Sequence, residues 1–262
     1  MPLLYEQRGA IAVLTMSRPE QRNAWGDDYH QTLRELLPEL ETNRDIRCVV
    51  LTGDEQGGAF CAGANLKSDD THTLTGIGDF LANLTVSRRT APFTLLSGLP
   101  KPVIAAVNGY AVGIGAIMTF CCDLIVASER AEWRLPQVAL GILPADAGST
   151  RLARFVGKGL AMRAALGFPI TSDEAFKSGL AQWLVPHEQL MAKAMEVAEH
   201  VAALPPLAVL MAKESINAGQ EIPLPWSQLA DQYRFAALSL TEDKVEGHKA
   251  WKERRKPKFK GR

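Results

Sequence analysis

The sequence has no excess of charge of either sign. Its 262 residues contain 29 Lys and Arg and 29 Asp and Glu, so the formal net charge at neutral pH is zero. Proteins that bind nucleic acid or anionic membranes through their overall field are usually basic, and this composition favours neither partner. The end segment, residues 249–262, is locally basic. Nucleic-acid binding is the weaker of its two interpretations, and a last helix is the other.

Long apolar runs are also missing. The stretch from Val112 to Val126 is too short to span a bilayer and contains Asp123. The first residues, MPLLYEQRGAIAVLTM, lack a basic region followed by an apolar stretch, so no secretory signal is predicted. We therefore expect a soluble protein with no membrane partner.

Cysteine is scarce, with four residues and no CxxC pair. Cys121 and Cys122 are neighbours in the chain, and this spacing does not suit a structural disulfide between them. No spacing of Cys, His and Asp suggests a metal site. The sequence therefore predicts a reducing, cytoplasmic location and no metal.

Short apolar runs alternate with helical patterns over the first part of the chain. Leu3–Glu6 and Ala10–Met16 predict a hairpin. Asp27–Glu41 and Val112–Cys122 predict helices. Three further runs predict strands buried in a parallel sheet: Ile46–Thr52, Pro102–Val107 and Leu124–Ala127. This alternation predicts an α/β layered fold.

Only helices are predicted after about Ala147. Glu188–Leu204 is amphipathic and stops before two prolines, and Leu207–Ala218 and Pro225–Trp251 follow as helices. We therefore divide the chain into a core, residues 1–204, and a helical C-terminal region, residues 205–262.

Two glycine-containing loops each follow a predicted buried strand. The first, residues 57–66, reads GGAFCAGANL, and the second, residues 108–115, reads NGYAVGIG. Small residues let a ligand approach the backbone, and the N–H groups of a first helical turn are unpaired. Two such N–H groups that converge on one oxygen would form an oxyanion hole. Tight turns that serve only packing are the alternative for either loop alone.

Both loops belong to longer motifs that follow one another along the chain. The motifs run from SRPEQRNAW through AFCAGANL, KPVIAAVNGYAVGIG, CDLIVAS and LPQVALGILPADAGSTRL to EGHKAWKERRKPKFKG. This series resembles the enoyl-CoA hydratase/isomerase (crotonase) family over essentially the whole chain. The resemblance implies a crotonase-like spiral of ββα repeats with a helical C-terminal region. It also implies a homotrimer or homohexamer.

The resemblance assigns a ligand and an oxyanion hole. It implies an acyl-CoA substrate, with coenzyme A as part of that substrate and no permanently bound cofactor. The N–H groups of Ala64 and Ile114 match the family's oxyanion hole. Ile114 stands where glycine is common, so a branched side chain is expected beside the acyl pocket.

Other residues match the family's contacts with coenzyme A. Ala62 and Leu66 match backbone positions that meet the adenine end. Phe235, Trp251 and Arg254 match positions that reach the nucleotide, sometimes from a neighbouring subunit. Arg22 is a further candidate for a phosphate contact, and a solvated surface arginine is the alternative.

This chain departs from the family at both catalytic glutamates. Family hydratases use one glutamate to activate water and another to protonate the α-carbon, and the matching residues here are Ile117 and Gln137. Neither side chain can transfer a proton at neutral pH. Asp146 falls at a turn where some family isomerases and dehalogenases carry a catalytic aspartate. It is therefore the candidate acid/base, and a helix N-cap is its alternative role.

Side chains near the first loop are weaker candidates. Asp69, Asp70 and His72 follow this loop and are expected to be solvated. Cys61 has no evident basic partner and is expected to be inert.

Three functions fit these residues. The first is an enzyme that shifts or eliminates around an acyl-CoA double bond through Asp146. The second is a specialised hydratase or lyase, in which Gln137 and backbone groups position water on an unusual, branched or cyclic enoyl-CoA. The third is an acyl-CoA-binding protein without catalysis. The loops and Asp146 favour an enzyme.

Overall fold

The computed structural model describes residues 3–65, 76–78, 81 and 92–262. Its strands are β1 Leu3–Arg8, β2 Ile11–Met16, β3 Cys48–Gly53, β4 Ala59–Cys61, β5 Val103–Val107, β6 Tyr110–Val112, β7 Leu124–Ser128, β8 Glu132–Arg134, β9 Ile170–Thr171 and β10 Trp183–Val185. They form a six-stranded sheet in the order β1-β2-β3-β5-β7-β10 and a four-stranded sheet in the order β4-β6-β8-β9.

The six-stranded sheet is parallel except at the predicted hairpin. β1 and β2 pair antiparallel, and β2, β3, β5, β7 and β10 pair parallel in turn. Every residue of β3 and β5 is buried, as apolar runs are when a parallel sheet is covered on both faces. In the smaller sheet, β4, β6 and β8 are parallel and β9 is antiparallel to β8.

Helices cover the sheets and fill the C-terminal part. They are α1 Asp27–Thr42, α2 Pro92–Gly98, α3 Ile114–Phe120, α4 Gly148–Ala165, α5 Ser172–Lys177, α6 Leu190–Ala202, α7 Pro206–Gly219, α8 Leu224–Ser239 and α9 Glu242–Lys252. Leu33, Leu37 and Leu40 of α1 lie at helical spacing and are buried in the larger hydrophobic cluster, which also holds Phe60 and Trp133 of the smaller sheet. α6 packs against the other face of the six-stranded sheet. The α/β fold class is therefore confirmed.

Two details of the C-terminal part differ from the sequence prediction. Strands also occur after Ala147, because β9 joins the smaller sheet and β10 pairs with β7 as an edge strand of the larger one. The predicted helix Pro225–Trp251 is two helices, α8 and α9, because Thr241 caps α9 by accepting a hydrogen bond from the backbone N–H of Lys244.

A largely buried ion pair helps to attach the helices after α6 to the core. Lys213 of α7 places its Nζ 2.7 Å from Oδ2 of Asp123, and its side chain is 8% exposed. The division at residue 205 stays a prediction. Among the described residues no single helix is long and apolar enough to cross a membrane. In the same part of the chain, one pair of helices, His187–Ala202 and Pro206–Gly219, is long and apolar enough when the two are taken together, but the pair is bent by 107°.

Candidate functional site

The two glycine loops lie side by side at the edge of the smaller sheet. β4 and β6, which are the short strands within these two segments, are paired in parallel. A Cβ built on Gly63 would lie 3.3 Å from the carbonyl oxygen of Val112, and one built on Gly115 would lie 2.5 Å from that of Cys61. Any side chain at Gly115 would therefore push the loops apart. The glycines are needed for this close approach.

The N–H of Ala64 points away from Trp25 because of the way in which the two residues pair. Ala64 forms an isolated parallel bridge with Trp25. The N–H of Trp25 donates to the carbonyl of Gly63 at 2.8 Å, and the N–H of Asn65 donates to the carbonyl of Trp25 at 2.8 Å. In a parallel bridge the flanking residues bond to the partner, so the N–H of the central residue points away.

The N–H of Ile114 lies at the start of α3, and Gly113 sets its direction. Gly113 has φ 55° and ψ −112°, a conformation that residues with a Cβ rarely adopt. Its own N–H donates to the carbonyl of Arg134 at 2.8 Å. In the described part of the chain, no backbone carbonyl accepts from the N–H of Ala64 or of Ile114. Both groups can therefore donate to a ligand.

Ile117 and Gln137 flank this pair of donors without supplying a carboxylate. Ile117 is 3% exposed, and a Cβ built on Gly148 would lie 2.7 Å from its Cγ1. Gln137 is 9% exposed and follows β8 in a 3-10 helix over 136–140. Its amide lies beside Gly113, where an added Cβ would be 3.4 Å from Nε2. Its Oε1 is buried and has no partner among the described residues.

Asp146 lies in a strained turn just before Gly148, the residue that contacts Ile117. Asp146 and Ala147 have φ values of 50° and 60°, which non-glycine residues adopt at a cost of about 1–3 kcal/mol each. The alternative role as an N-cap is wrong, because the cap of α4 is Ala147 and no side chain bonds there. Asp146 is exposed to solvent, so desolvation of its carboxyl is only partial. That desolvation raises the pKa of the carboxyl, while the charges of His30 and Arg151 act to lower it.

Cys61 is not a nucleophile in this arrangement. It is fully buried, and burial raises the pKa of its thiol to about 11. A thiol in that state is present almost entirely in its unreactive protonated form at neutral pH. Among the residues that the structure describes, no group of three or more His, Cys, Asp or Glu could hold a metal ion.

The residues predicted to contact coenzyme A fall into two groups. Ala62 and Arg22 lie together, because the N–H of Ala62 donates to the carbonyl of Arg22 at 3.1 Å. Phe235 and Trp251 lie on the C-terminal helices and are 74% and 81% exposed. Arg254 follows α9 and is also exposed.

Several predicted residues lie outside the described part of the chain. These are Leu66, Asp69, Asp70 and His72.

Sequence reasoning missed two residues of the site. Asn23 was seen only as part of a family motif, yet its buried side chain bonds to the backbone on both sides of the first loop's turn. Gly148 was seen only as part of a helix start, yet it packs directly on Ile117. The left-handed residues Arg22 and Asn23 could not be found from periodicity.

These two sheets and their paired glycine loops define the crotonase class of α/β proteins. The enoyl-CoA hydratase/isomerase family matches over residues 6–262, and the chain belongs to that family. It is 36% identical over 264 residues to the 2,3-dehydroadipyl-CoA hydratase of Escherichia coli K12, covering 99% of both chains. It is 34% identical over 256 residues to the short-chain-enoyl-CoA hydratase of Clostridium acetobutylicum, covering 97% of this chain and 95% of the relative.

Solved structures agree with this assignment. The crystal structure of an enoyl-CoA hydratase from Bacillus anthracis superposes with a TM-score of 0.91 at 31% identity, and the match covers 100% of both chains. The crotonase resemblance seen in the motifs is therefore confirmed.

Proposed function

We propose that this chain is an acyl-CoA enzyme that binds the thioester oxygen between the N–H groups of Ala64 and Ile114. The observation that carries the proposal is the pair of adjoining loops, in which both N–H groups lack an intramolecular acceptor in the described part of the chain. Donors aimed at an oxygen stabilise it most when it carries the negative charge of an enolate. The hole therefore makes removal of the α-proton easier.

Asp146 is the group proposed to move the proton. It lies two residues before Gly148, which contacts Ile117, and partial desolvation of its exposed side chain raises its pKa. A carboxyl with a raised pKa is a better base when ionised and remains a usable acid closer to neutral pH. Because Ile117 and Gln137 replace the family's two glutamates, a single acid/base favours isomerisation or elimination over ordinary hydration.

Hydration of an unusual enoyl-CoA is the second candidate. Relatives such as the short-chain-enoyl-CoA hydratase of Clostridium acetobutylicum carry that activity in their names. The buried, unpartnered Oε1 of Gln137 supports this reading, because a water molecule could donate to it. A non-catalytic acyl-CoA-binding protein is the third candidate, and it would use the same donors.

The nucleotide part of coenzyme A is proposed to contact Ala62, Leu66 and Arg22 on the core. Phe235, Trp251 and Arg254 would add stacking and phosphate contacts, from the same subunit or from a neighbour. Large exposed apolar side chains on α8 and α9 support assembly into a homotrimer or homohexamer. A cytoplasmic location is also proposed.

The test is incubation in D₂O with saturated, 2-enoyl and 3-enoyl CoA esters, followed by mass measurement. Deuterium uptake without water addition supports the isomerase-type proposal, and the Asp146→Asn variant is then the control that should take up none. Addition of the mass of one water molecule establishes a hydratase, and its proton donor would then be a group other than Asp146. Esters that bind unchanged support the binding-protein candidate.

A further inference from the structure

Asn23 joins three parts of the chain around the first glycine loop. Its side chain is fully buried. Its Oδ1 accepts a hydrogen bond from the N–H of Arg18 at 3.0 Å. Its Nδ2 donates to the carbonyls of Asp54 at 2.9 Å and Ala59 at 2.8 Å. Both N–H groups of the amide are therefore committed to the backbone at the two ends of the turn that leads into β4.

The backbone beside Asn23 continues this connection along the loop. The carbonyl of Arg22 accepts from the N–H of Ala62 at 3.1 Å, and Trp25 bonds to the residues on either side of Ala64. Segment 22–25 is thus paired with segment 62–65. Arg22 and Asn23 hold φ values of 51° and 56°, and this left-handed conformation persists only where the surroundings fix it.

We infer that Asn23 is a positioning residue for the N–H of Ala64. The inference rests on the proposed function, in which that N–H binds the thioester oxygen. Loss of the amide removes a donor from the carbonyls of Asp54 and Ala59 and the acceptor of the Arg18 N–H, and of these groups the Asp54 carbonyl keeps the N–H of Gly57 as a donor. It therefore releases segment 22–25 from its left-handed form. The pairing with segment 62–65 carries this shift to Ala64. Oxyanion stabilisation depends on a donor distance of about 2.7–3.1 Å, so enolate binding suffers more than binding of the neutral ester.

The test uses acetoacetyl-CoA, a 3-oxo thioester whose enolate absorbs in the near ultraviolet. The enolate fraction of the bound ester reports oxyanion stabilisation and needs no turnover. The wild type should enolise the bound ester, and Asn23→Ala should lower the ratio of bound enolate to keto form at least about tenfold, since removal of one donor costs about 10²–10³-fold in kcat. Affinity for the saturated butyryl-CoA should stay the same.

Two further variants separate positioning from general stability. Ser17→Ala removes a hydrogen bond of 2.6 Å to the side chain of Asp54 in the same turn and leaves the bonds of Asn23 intact. It should lower stability without changing the enolate ratio. Gly57→Ala places a Cβ 2.6 Å from Nδ2 of Asn23, so it displaces the amide without deleting it. It should reproduce the loss seen in Asn23→Ala.

The outcomes distinguish this inference from the proposed function. A wild type that neither binds nor enolises acetoacetyl-CoA overturns the proposed function and the role of Asn23 with it. A wild type that enolises the ester, together with folded Asn23→Ala and Gly57→Ala variants that do so equally, overturns only the positioning role. If circular dichroism shows Asn23→Ala to be unfolded, the ratio measured for Gly57→Ala decides the question.

Discussion

Gly148 and Ile117 are in direct contact, so the start of α4 rests on a side chain of α3. A Cβ built on Gly148 would lie 2.7 Å from Cγ1 and 2.9 Å from Cδ1 of Ile117. Contacts under 3.0 Å require one side to move. The replacement of a glutamate by Ile117 therefore comes with a glycine in the facing position, and the pair fixes the turn that carries Asp146.

Gly148→Ala should destabilise the protein by about 1–3 kcal/mol, because the added methyl overpacks this contact. Ile117→Ala alone should cost about 2–5 kcal/mol through the cavity that it leaves. The double variant should cost less than the sum of the two, since each change makes room for the other. Urea unfolding measures all three. Gly159→Ala on the same helix is the matched control, because an added Cβ there meets nothing within 4 Å. Equal effects at both glycines would contradict the contact.

Asp146→Asn should lower turnover by about 10²–10⁴-fold, the usual contribution of a general acid/base, and leave ester affinity unchanged. The wild-type kcat/KM should fall as pH decreases, because a base must be ionised. That fall should be centred above the ordinary aspartate value of 3.8, since partial desolvation raises the pKa of Asp146. A pH–rate profile measures it. Unchanged turnover in the variant would end the catalytic role.

The free energy of unfolding tests the raised pKa of Asp146 independently of activity. The folded-state pKa is above the unfolded value, so the ionised carboxylate destabilises the folded chain at neutral pH. Asp146→Asn should therefore be more stable than the wild type at neutral pH. This advantage should shrink as pH falls through the raised pKa and should be gone below the ordinary value of 3.8. Urea unfolding at several pH values tests it, and a variant less stable at neutral pH would contradict it.

Local patterns predicted five strands of the six-stranded sheet, none of the four-stranded sheet and few of the site connections. The hairpin and the buried strands were predictable because each is a continuous run of mostly apolar residues in the sequence. The hydrogen bonds of the Asn23 side chain to the first loop could not be predicted, because the carbonyls that accept them are 31 and 36 residues away in the sequence. β10 was missed because Trp183–Val185 is a three-residue strand with only partial burial. The family motifs located both loops, and only tertiary contacts show how they are held together.

Gln137→Met should stabilise the protein by about 1 kcal/mol, because it removes a buried carbonyl oxygen that has no partner in the described part of the chain. The same change should abolish water addition if Gln137 holds the attacking water, and should leave α-proton exchange intact if Asp146 acts alone. Urea unfolding measures the change in stability, and mass measurement after incubation in D₂O measures water addition and α-proton exchange.

Gln182→Met is the matched control for Gln137→Met. The amide of Gln182 accepts from the N–H of Ile125 at 2.7 Å and donates to the carbonyl of Gly179 at 3.0 Å. Its loss should destabilise the protein, since the N–H of the buried Ile125 loses its acceptor. A destabilising Gln137→Met would show that the oxygen of Gln137 has a partner in solution. A stabilising Gln182→Met would show that the methionine side chain itself stabilises the fold, whatever the partners of the amide.

Lys213→Met should destabilise the protein by roughly 3 kcal/mol, because it leaves Asp123 as a largely buried carboxylate without its cation. Burial already raises the pKa of Asp123, and Lys213 opposes that rise. Without the lysine the folded pKa rises further, so the loss of stability should be largest at neutral pH. It should shrink as pH falls through the raised pKa and the carboxyl becomes neutral.

The double variant Lys213→Met with Asp123→Asn separates the charge from the packing of α7. An asparagine can still accept from the N–H of Val103, which bonds to Oδ2 of Asp123 at 2.8 Å. The double variant should therefore recover part of the stability lost in Lys213→Met, and its remaining loss should no longer depend on pH. Urea unfolding across pH measures both. A double variant as unstable as Lys213→Met at every pH would mean that the aliphatic stem of Lys213, rather than its charge, attaches α7 to the core.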